Sequence, residues 1–238
     1  MHGSQDIGSM RDISVIIPAF NEADSIAKVI ADIPEVVSEI IVVDNNSTDN
    51  TSIAATAAGA TVLFEPQKGY GYACLKGINY LSNRSNPPSI VVFMDGDYSD
   101  YPEDLHDIVK PITDGEVDFV IGARVKELRE NGSMTPQQVF GNWLATFLMK
   151  VLFGARFTDL GPFRAITYKR LMELEMADKT YGWTVEMQLK AIKRKIAYAE
   201  VPVRYKKRIG ISKVSGTLKG TIFAGIKILS WIIKYSLK

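Results

Sequence analysis

The chain has one cysteine, Cys74, almost no net charge and no long apolar run, and each shortage removes a class of protein. A lone thiol cannot form an intrachain disulfide, so the composition suits a reducing cytosol and Cys74 is expected to be buried and inert. The formal net charge of +1 lacks the basic surplus that phosphate backbones demand, which argues against nucleic acid as a partner. No segment reaches the roughly eighteen uncharged apolar residues of a membrane span. The start has no apolar stretch of the secretory kind, so residues 1–11 are read as a disordered leader. The expected location is cytoplasmic, free or peripheral on the cytoplasmic face of a membrane. Internal repeats and low-complexity segments are also missing, and 238 residues suit one α/β domain with an appendage.

What is present is an alternation of strand and helix signals. A β-branched run at 13–17 ends in Pro18, and Asn21-Glu22 opens an amphipathic helix over 22–33. A buried strand at 40–43 leads through polar residues 44–47 into an alanine-rich helix over 48–58. A third strand follows at 60–64, then a helix from Gly69 through 81, then a fourth strand at 90–94 that runs into Asp95. This order predicts a doubly wound, mostly parallel sheet flanked by helices, in which ligands gather at the carboxyl ends of the strands. Asp44 and Asp95 then share one rim. Downstream come a fifth strand at 118–122, a long Gly- and Arg-containing loop over 123–136 and an apolar helix over 139–153. The chain returns to the sheet at 158–167, forms a helix over 181–194 and a strand over 197–205, and enters a basic segment at 206–213. The domain is placed at 12–215.

Residues 216–238 predict a C-terminal amphipathic helix, with Lys219, Lys227, Lys234 and Lys238 on one face and Ile222, Phe223, Ile226, Leu229 and Ile233 mostly opposite. It either lies in an anionic membrane interface or packs on the domain or on a homo-oligomer partner. The helix over 139–153, with Trp143, Phe147 and Phe153, either joins that surface or is core.

The strongest local motif is Asp95-Gly96-Asp97, two carboxylates just beyond an apolar strand. Mg²⁺ and Mn²⁺ take oxygen ligands, commonly one or two carboxylates plus substrate phosphates. Taken alone, the motif reads first as the ordinary case, one Asp a turn former and Asp100 capping the helix that begins near Pro102, and its context reverses that order. Two further segments accompany it, Pro18-Ala19-Phe20-Asn21-Glu22 and Val42-Val43-Asp44-Asn45-Asn46-Ser47-Thr48-Asp49. Together the three resemble the family 2 glycosyltransferases with the GT-A fold, over almost the whole chain. That resemblance implies transfer of a hexose from a nucleotide diphosphate-sugar, with Mg²⁺ or Mn²⁺ on Asp95 and Asp97. It implies a donor site of Pro18, Ala19, Glu22, Asp44, Lys68, Gly69, Asp95, Gly96 and Arg208. Glu22 is otherwise a first-turn acid favoured by the helix dipole, and Asp49 is an N-cap. The chain has Asp44-Asn45 where the family usually has two acids.

The downstream half is similar to the dolichyl- or polyprenyl-phosphate sugar synthases within that family. The carrying residues are Gly122-Ala123-Arg124, Thr158 to Ala165 with Asp159-Leu160-Gly161-Pro162, Glu200-Val201-Pro202-Val203, and Arg208-Ile209-Gly210-Ile211-Ser212-Lys213. The implied acceptor is a lipid phosphate at a membrane surface, with Arg124 and Arg129 on its phosphate and Arg164 either there or supporting the site from the sheet. Arg208 and Lys213 suit neutralisation of the leaving diphosphate. Asp159 and Glu186 are candidates for orienting the sugar or for a base. Relatives acting on alcohols carry an acid pair where this chain has Val185-Glu186, and a phosphate dianion needs no base to attack. Ser99 stands where mannose-using relatives often have Gln, which favours UDP-glucose over GDP-mannose. Three other readings are weighed against this one, one of them a binding protein of the same fold without catalysis, which the set Asp95, Asp97, Arg208 and Lys213 argues against. A soluble metabolite or saccharide would replace only the acceptor. A nucleotidyltransferase needs a Gly- and Arg-rich loop that 18–25 lacks.

Overall fold

The computed structural model describes residues 12–210 and 218–236, with side chains in the last helix described from 225 onward. The expected leader and Lys213 lie outside the described residues. Seven strands form one sheet in the order β3-β2-β1-β4-β6-β5-β7. Inside the sheet β1 (Ile13–Ala19) is buried at every position, the signature of a parallel strand covered on both faces. It pairs in parallel with β2 (Glu39–Asp44) and β4 (Ile90–Phe93), setting Ala19 opposite Asp44 and Ile16 opposite Phe93. β3 (Thr61–Phe64) continues the parallel edge beyond β2. On the other side β6 (Arg164–Thr167) runs antiparallel to β4 and to β5 (Phe119–Ala123), placing Arg164 beside both Phe93 and Ile121. β7 (Tyr198–Pro202) is parallel to β5 and sets Pro202 opposite Ala123. The ends of β1, β2, β4, β5 and β7 and the start of β6 therefore meet on one rim.

Helices cover both faces. On one, α1 (Ile26–Asp32), α2 (Thr51–Ala57) and α4 (Leu105–Thr113) bury Ile26, Val29, Leu105 and Ile108 against Val15, Ile17 and Val92. On the other, α3 (Tyr70–Ser82), α5 (Pro136–Phe153) and α7 (Trp183–Lys193) close over Ile16, Phe93 and Ile121. The expected helix at 22–33 begins only at Ile26, because 22–25 is a turn. The stretch 158–167, expected to return to the sheet, joins it only with its last four residues, since Gly161-Pro162 bends the chain before them. A short helix, α6 (Tyr168–Leu174), fills the chain before α7.

Local chemistry explains α5. Thr135 and Gln138 form a reciprocal capping box, Pro136 takes a position whose N–H would lack a partner, and Gly154 ends the helix with φ 66°. The last helix, α8 (Leu218–Ser236), packs on α5 and α7. Ile232 is fully buried there, and Trp231 donates its Nε1–H to Asp178 Oδ2 at 2.6 Å. The same oxygen lies 3.2 Å from Lys227 Nζ, while Asp178 Oδ1 accepts from the N–H groups of Thr180 and Gly182. Its described part thus follows the second of the two readings, packing on the domain. No helix among the described residues is long and apolar enough to cross a membrane.

Candidate functional site

One end of the rim is built from two loops sewn together. Asn21 sits at φ 55°, and its N–H donates to Ser47 Oγ while its Oδ1 accepts from Thr48 N at 2.8 Å. Glu22 N donates to Thr51 Oγ1, and Asp49 accepts from Ala23 N and Thr51 N, so Asp49 serves the first turn of α2 from one residue before its cap. Asp44, buried at the end of β2, accepts from Ser47 N at 2.8 Å and from the Ser52 hydroxyl. Asn45 supplies what an acid could not. Its amide donates to the carbonyls of Glu65 and Gln67, at 3.2 and 2.6 Å, and its Oδ1 accepts from Gly69 N at 2.7 Å. The residue that departs from the family pattern therefore clips the loop carrying Lys68 and Gly69 onto the rim. Lys68 Nζ lies 4.8 Å from the Phe20 ring centre. Gly69 and Gly71 lie against the Lys179 and Asp178 carbonyls, where an added Cβ would come within 2.3 and 2.0 Å.

The middle of the rim is acidic and bridged by one arginine. Arg208 Nη2 lies 3.2 Å from Glu22 Oε1 and 3.1 Å from Asp97 Oδ2, joining carboxylates from the first and third sequence motifs. Asp97 Oδ1 accepts from Ser99 N and Ser99 Oγ, at 2.9 and 2.5 Å, so the Ser99 hydroxyl is spent on the carboxylate beside it. Arg208 Nε is buried with no partner among the described residues, and Asp95 Oδ1 is buried with no well-formed hydrogen bond, its polar neighbour being the Tyr70 hydroxyl, which favours the charged carboxylate. Burial, and then the charge of Asp97, push Asp95 up to about 7. Asp100 does not cap a helix. It is 2% exposed with both oxygens unpartnered, and burial followed by the charges of Asp95 and Asp97 holds it well above the usual carboxylate range. Sequence reasoning gave Asp100 only the role of a cap, although it is the third acid of a run that begins at Asp95. No cluster of three or more His, Cys, Asp or Glu side chains among the described residues is arranged to hold a metal. Asp95, with a buried oxygen that no well-formed hydrogen bond uses, and Asp97, whose Oδ2 faces Arg208, are the two carboxylates that a hard cation completed by phosphate oxygens would use.

At the far end Arg124 and Asp159 form a fork, Nε to Oδ2 at 2.8 Å and Nη2 to Oδ1 at 2.6 Å, with the Arg124 N–H also donating to Oδ2. Burial works against the Asp159 charge, and the Arg124 guanidinium more than offsets it, leaving the carboxyl below its ordinary value. Arg129 donates to Met134 Sδ at 3.0 Å. Two expected contacts are corrected by burial. Arg164 is wholly buried and donates to the carbonyls of Leu160, Gly161 and Thr184, so it props the bend before β6 and does not face an acceptor. Glu186 is wholly buried too, accepting from Ala177 N and Asp178 N and pairing with Lys190 at 2.8 Å, which leaves it no access to a sugar.

A cavity of about 580 Å³ opens from this rim. Asp95, Asp97, Arg124 and Arg208 stand at one end, and Phe140, Leu144, Leu160, Trp183, Ile228 and Leu229 line the passage between α5 and α8. A second cavity, about 590 Å³, lies between the 123–135 loop and α5, with Arg124, Met134 and Asn142 lining both.

The family model described as Glycosyl transferase family 2 matches residues 14–174. An uncharacterised glycosyltransferase of Mycobacterium tuberculosis is 31% identical over 213 residues, covering 89% of this chain and 94% of the relative. A UDP-N-acetylglucosamine:dolichyl-phosphate N-acetylglucosaminyltransferase of Methanococcus voltae is 27% identical over 215 residues, covering 81% of this chain and 84% of that protein. Among solved structures, glucosyl-3-phosphoglycerate synthase of M. tuberculosis, in complex with Mn²⁺, UDP-glucose and phosphoglyceric acid, superposes with a TM-score of 0.75. It is 23% identical, over 99% of this chain and 86% of that one, so what it shares is the fold.

Proposed function

The chain belongs to glycosyl transferase family 2, and from that premise we propose that it moves a hexose, with inversion, from a nucleotide diphosphate-sugar to a polyprenyl or dolichyl phosphate. UDP-glucose is the preferred donor over GDP-mannose. The observation that carries the acceptor is the cavity lined by Asp95, Asp97, Arg124 and Arg208 together with a mostly apolar wall of Phe140, Leu144, Leu160, Trp183, Ile228 and Leu229, interrupted by Gln137, Gln138 and Thr180. A phosphate on a hydrocarbon chain matches that division, whereas a small polar acceptor would leave the passage between α5 and α8 unfilled. The Methanococcus relative, which is named for a dolichyl phosphate, supports the same choice.

In this reading Pro18, Ala19, Glu22 and Asp44 receive the nucleoside, and Lys68 and Gly69 border the diphosphate. Asp95 and Asp97 would hold Mg²⁺ or Mn²⁺, which supplies positive charge to a departing diphosphate. Arg208, released from Glu22 and Asp97 by an entering donor, turns its open Nε and its fork to the diphosphate oxygens. Lys213 joins it from outside the described residues. Arg124, held in orientation by Asp159, faces the acceptor phosphate, with Arg129 behind it. An acceptor oxygen attacks the anomeric carbon from the face opposite the diphosphate. The bond from that carbon to the diphosphate oxygen breaks, and its electron pair leaves with the nucleoside diphosphate. The acceptor is a dianion near neutral pH, so no proton has to be removed, in keeping with the burial of Glu186.

The test is release of nucleoside diphosphate from UDP-glucose or GDP-mannose in the presence of Mn²⁺ or Mg²⁺, with and without a short polyprenyl phosphate. Lipid-dependent release, lost in Asp97→Asn with the fold retained, is the expected result. Release that ignores the lipid but responds to phosphoglyceric acid would move the acceptor to a soluble phosphate, the class bound by the solved neighbour.

A further inference from the structure

Residues 154–161 belong to no helix or strand, so their backbone groups have no ladder to pair along. Between 158 and 160 side chains take every one of them. The N–H groups of Thr158 and Asp159 donate to Glu200 Oε1, at 2.8 and 3.1 Å, and the Thr158 hydroxyl donates to Glu200 Oε2 at 2.7 Å. Asn142 donates to the Thr158 carbonyl at 3.0 Å and accepts from Leu160 N at 2.8 Å. Gln188 donates to the Asp159 carbonyl at 2.9 Å, and Arg164 to that of Leu160 at 3.1 Å. A stretch without secondary structure is thus fastened from β7, α5, α7 and β6 at once.

What the stretch carries is Asp159, whose carboxylate takes the Nε, Nη2 and backbone N–H of Arg124, and Arg124 lines both cavities. Its guanidinium can point only where that fork lets it. Glu200 is the fastener whose presence is hardest to explain otherwise. Burial pushes its carboxyl up, the donors on Thr158 and Asp159 oppose the rise, and the Asp159 charge adds to it. For β7, at the edge of the sheet, an acid facing a second acid brings no gain; the gain falls to the 158–159 backbone. Glu200 also opens the segment Glu200-Val201-Pro202-Val203, which has no part in the proposed chemistry. We propose that Glu200 is a positioning residue for the acceptor, acting through two others: it fixes the 158–159 backbone, which fixes Asp159, which aims the Arg124 guanidinium. It rests on Arg124 being the contact for the acceptor phosphate, and it adds the part of the molecule that holds that contact in place.

The experiment sets reach against charge in the full chain. Glu200→Gln keeps the reach and loses the charge, since an amide oxygen accepts the same two N–H groups while the amide nitrogen donates to the Thr158 hydroxyl. Glu200→Asp keeps the charge and is one methylene too short to span the gap. Glu200→Gln should therefore match the native chain, and Glu200→Asp should match Glu200→Ala, with circular dichroism unchanged. If Glu200→Ala does not fold, the other two carry the comparison. The first readout needs no substrate. The Arg124 Nε–H signal in nuclear magnetic resonance, identified by its loss in Arg124→Lys, should vanish or exchange faster with water in Glu200→Asp and persist in Glu200→Gln. Arg204, whose Nε donates to Asp104 Oδ1 at 2.8 Å, should be unmoved in both and serves as the control fork. The second readout is release of nucleoside diphosphate, where Glu200→Asp should raise KM for the prenyl phosphate about tenfold and leave KM for the nucleotide-sugar as it was. An Arg124 signal that persists in Glu200→Asp overturns the proposal, as does an impaired Glu200→Gln beside a sound Glu200→Asp, or an equal rise in both KM values. A native chain that ignores prenyl phosphate removes the lipid acceptor alone. The Arg124 signal then decides the positioning, upheld by its loss in Glu200→Asp and overturned by its persistence.

Discussion

An amide at position 45 can do two things at once that a carboxylate cannot, donating to the carbonyls of Glu65 and Gln67 and accepting from the N–H of Gly69. Asn45→Asp would set a negative oxygen against two carbonyls in a nearly buried position. The expected cost is about 1–3 kcal/mol in denaturant unfolding, with a raised KM for the nucleotide-sugar because the clip holds the Lys68-Gly69 loop. The motif at 42–49 marks this residue in the sequence only as a departure from a pattern. Its three partners lie twenty or more residues away, and no local rule names them. Asp95 and Asp97 were legible because a strand and a two-residue spacing suffice to place them. For Arg164 the sequence offered both the acceptor and the support role and burial selects the second, while Glu186 was read toward the sugar, since a glutamate looks the same in a sequence whether it meets substrate or a buried N–H.

At the scale of elements, the loop after α6 and the first turn of α3 touch without any side chain between them. Tyr72 N donates to the Lys179 carbonyl at 3.1 Å, and a Cβ on Gly71 would stand 2.0 Å from the Asp178 carbonyl oxygen. Gly71→Ala must therefore push two backbones apart. About 1–3 kcal/mol of destabilisation is expected from urea titration, with the loss concentrated in donor binding if α3 yields and in the packing of α8 if the 177–182 loop yields. The strands of the first half were readable because apolar runs bounded by turn residues specify buried parallel strands. The direction of β6 was not, because an apolar run of four residues has the same appearance whichever way it runs, and only the bend at Gly161-Pro162 turns it back between β4 and β5.

At the scale of the molecule, the rim is where charges from distant segments accumulate without full pairing, so a ligand that supplies the missing partners should also stabilise the fold. UDP with Mn²⁺ at a hundredfold excess over its dissociation constant is expected to add about 2.7 kcal/mol, seen as a higher unfolding midpoint, and EDTA should remove most of the gain. A midpoint raised equally by UDP with or without the cation would place the nucleotide correctly and displace Asp95 and Asp97 from the metal. Rim convergence was legible from the alternation of strands and helices. The covering of that rim by α8 was not, because an amphipathic pattern specifies an apolar face without saying what meets it.

Asp178 gives the molecule a direction in time as well as in space. Its carboxylate is completed by Lys227 and Trp231, the latter 53 residues further along the chain. A ribosome therefore produces the sheet, the acidic rim and most of the helices before it has made the two side chains that satisfy this buried charge. Until α8 emerges, the nascent domain carries an exposed flank on α7 and a carboxylate served only by the N–H groups of Thr180 and Gly182. Final closure of the passage toward the rim is thus deferred until synthesis has passed Trp231.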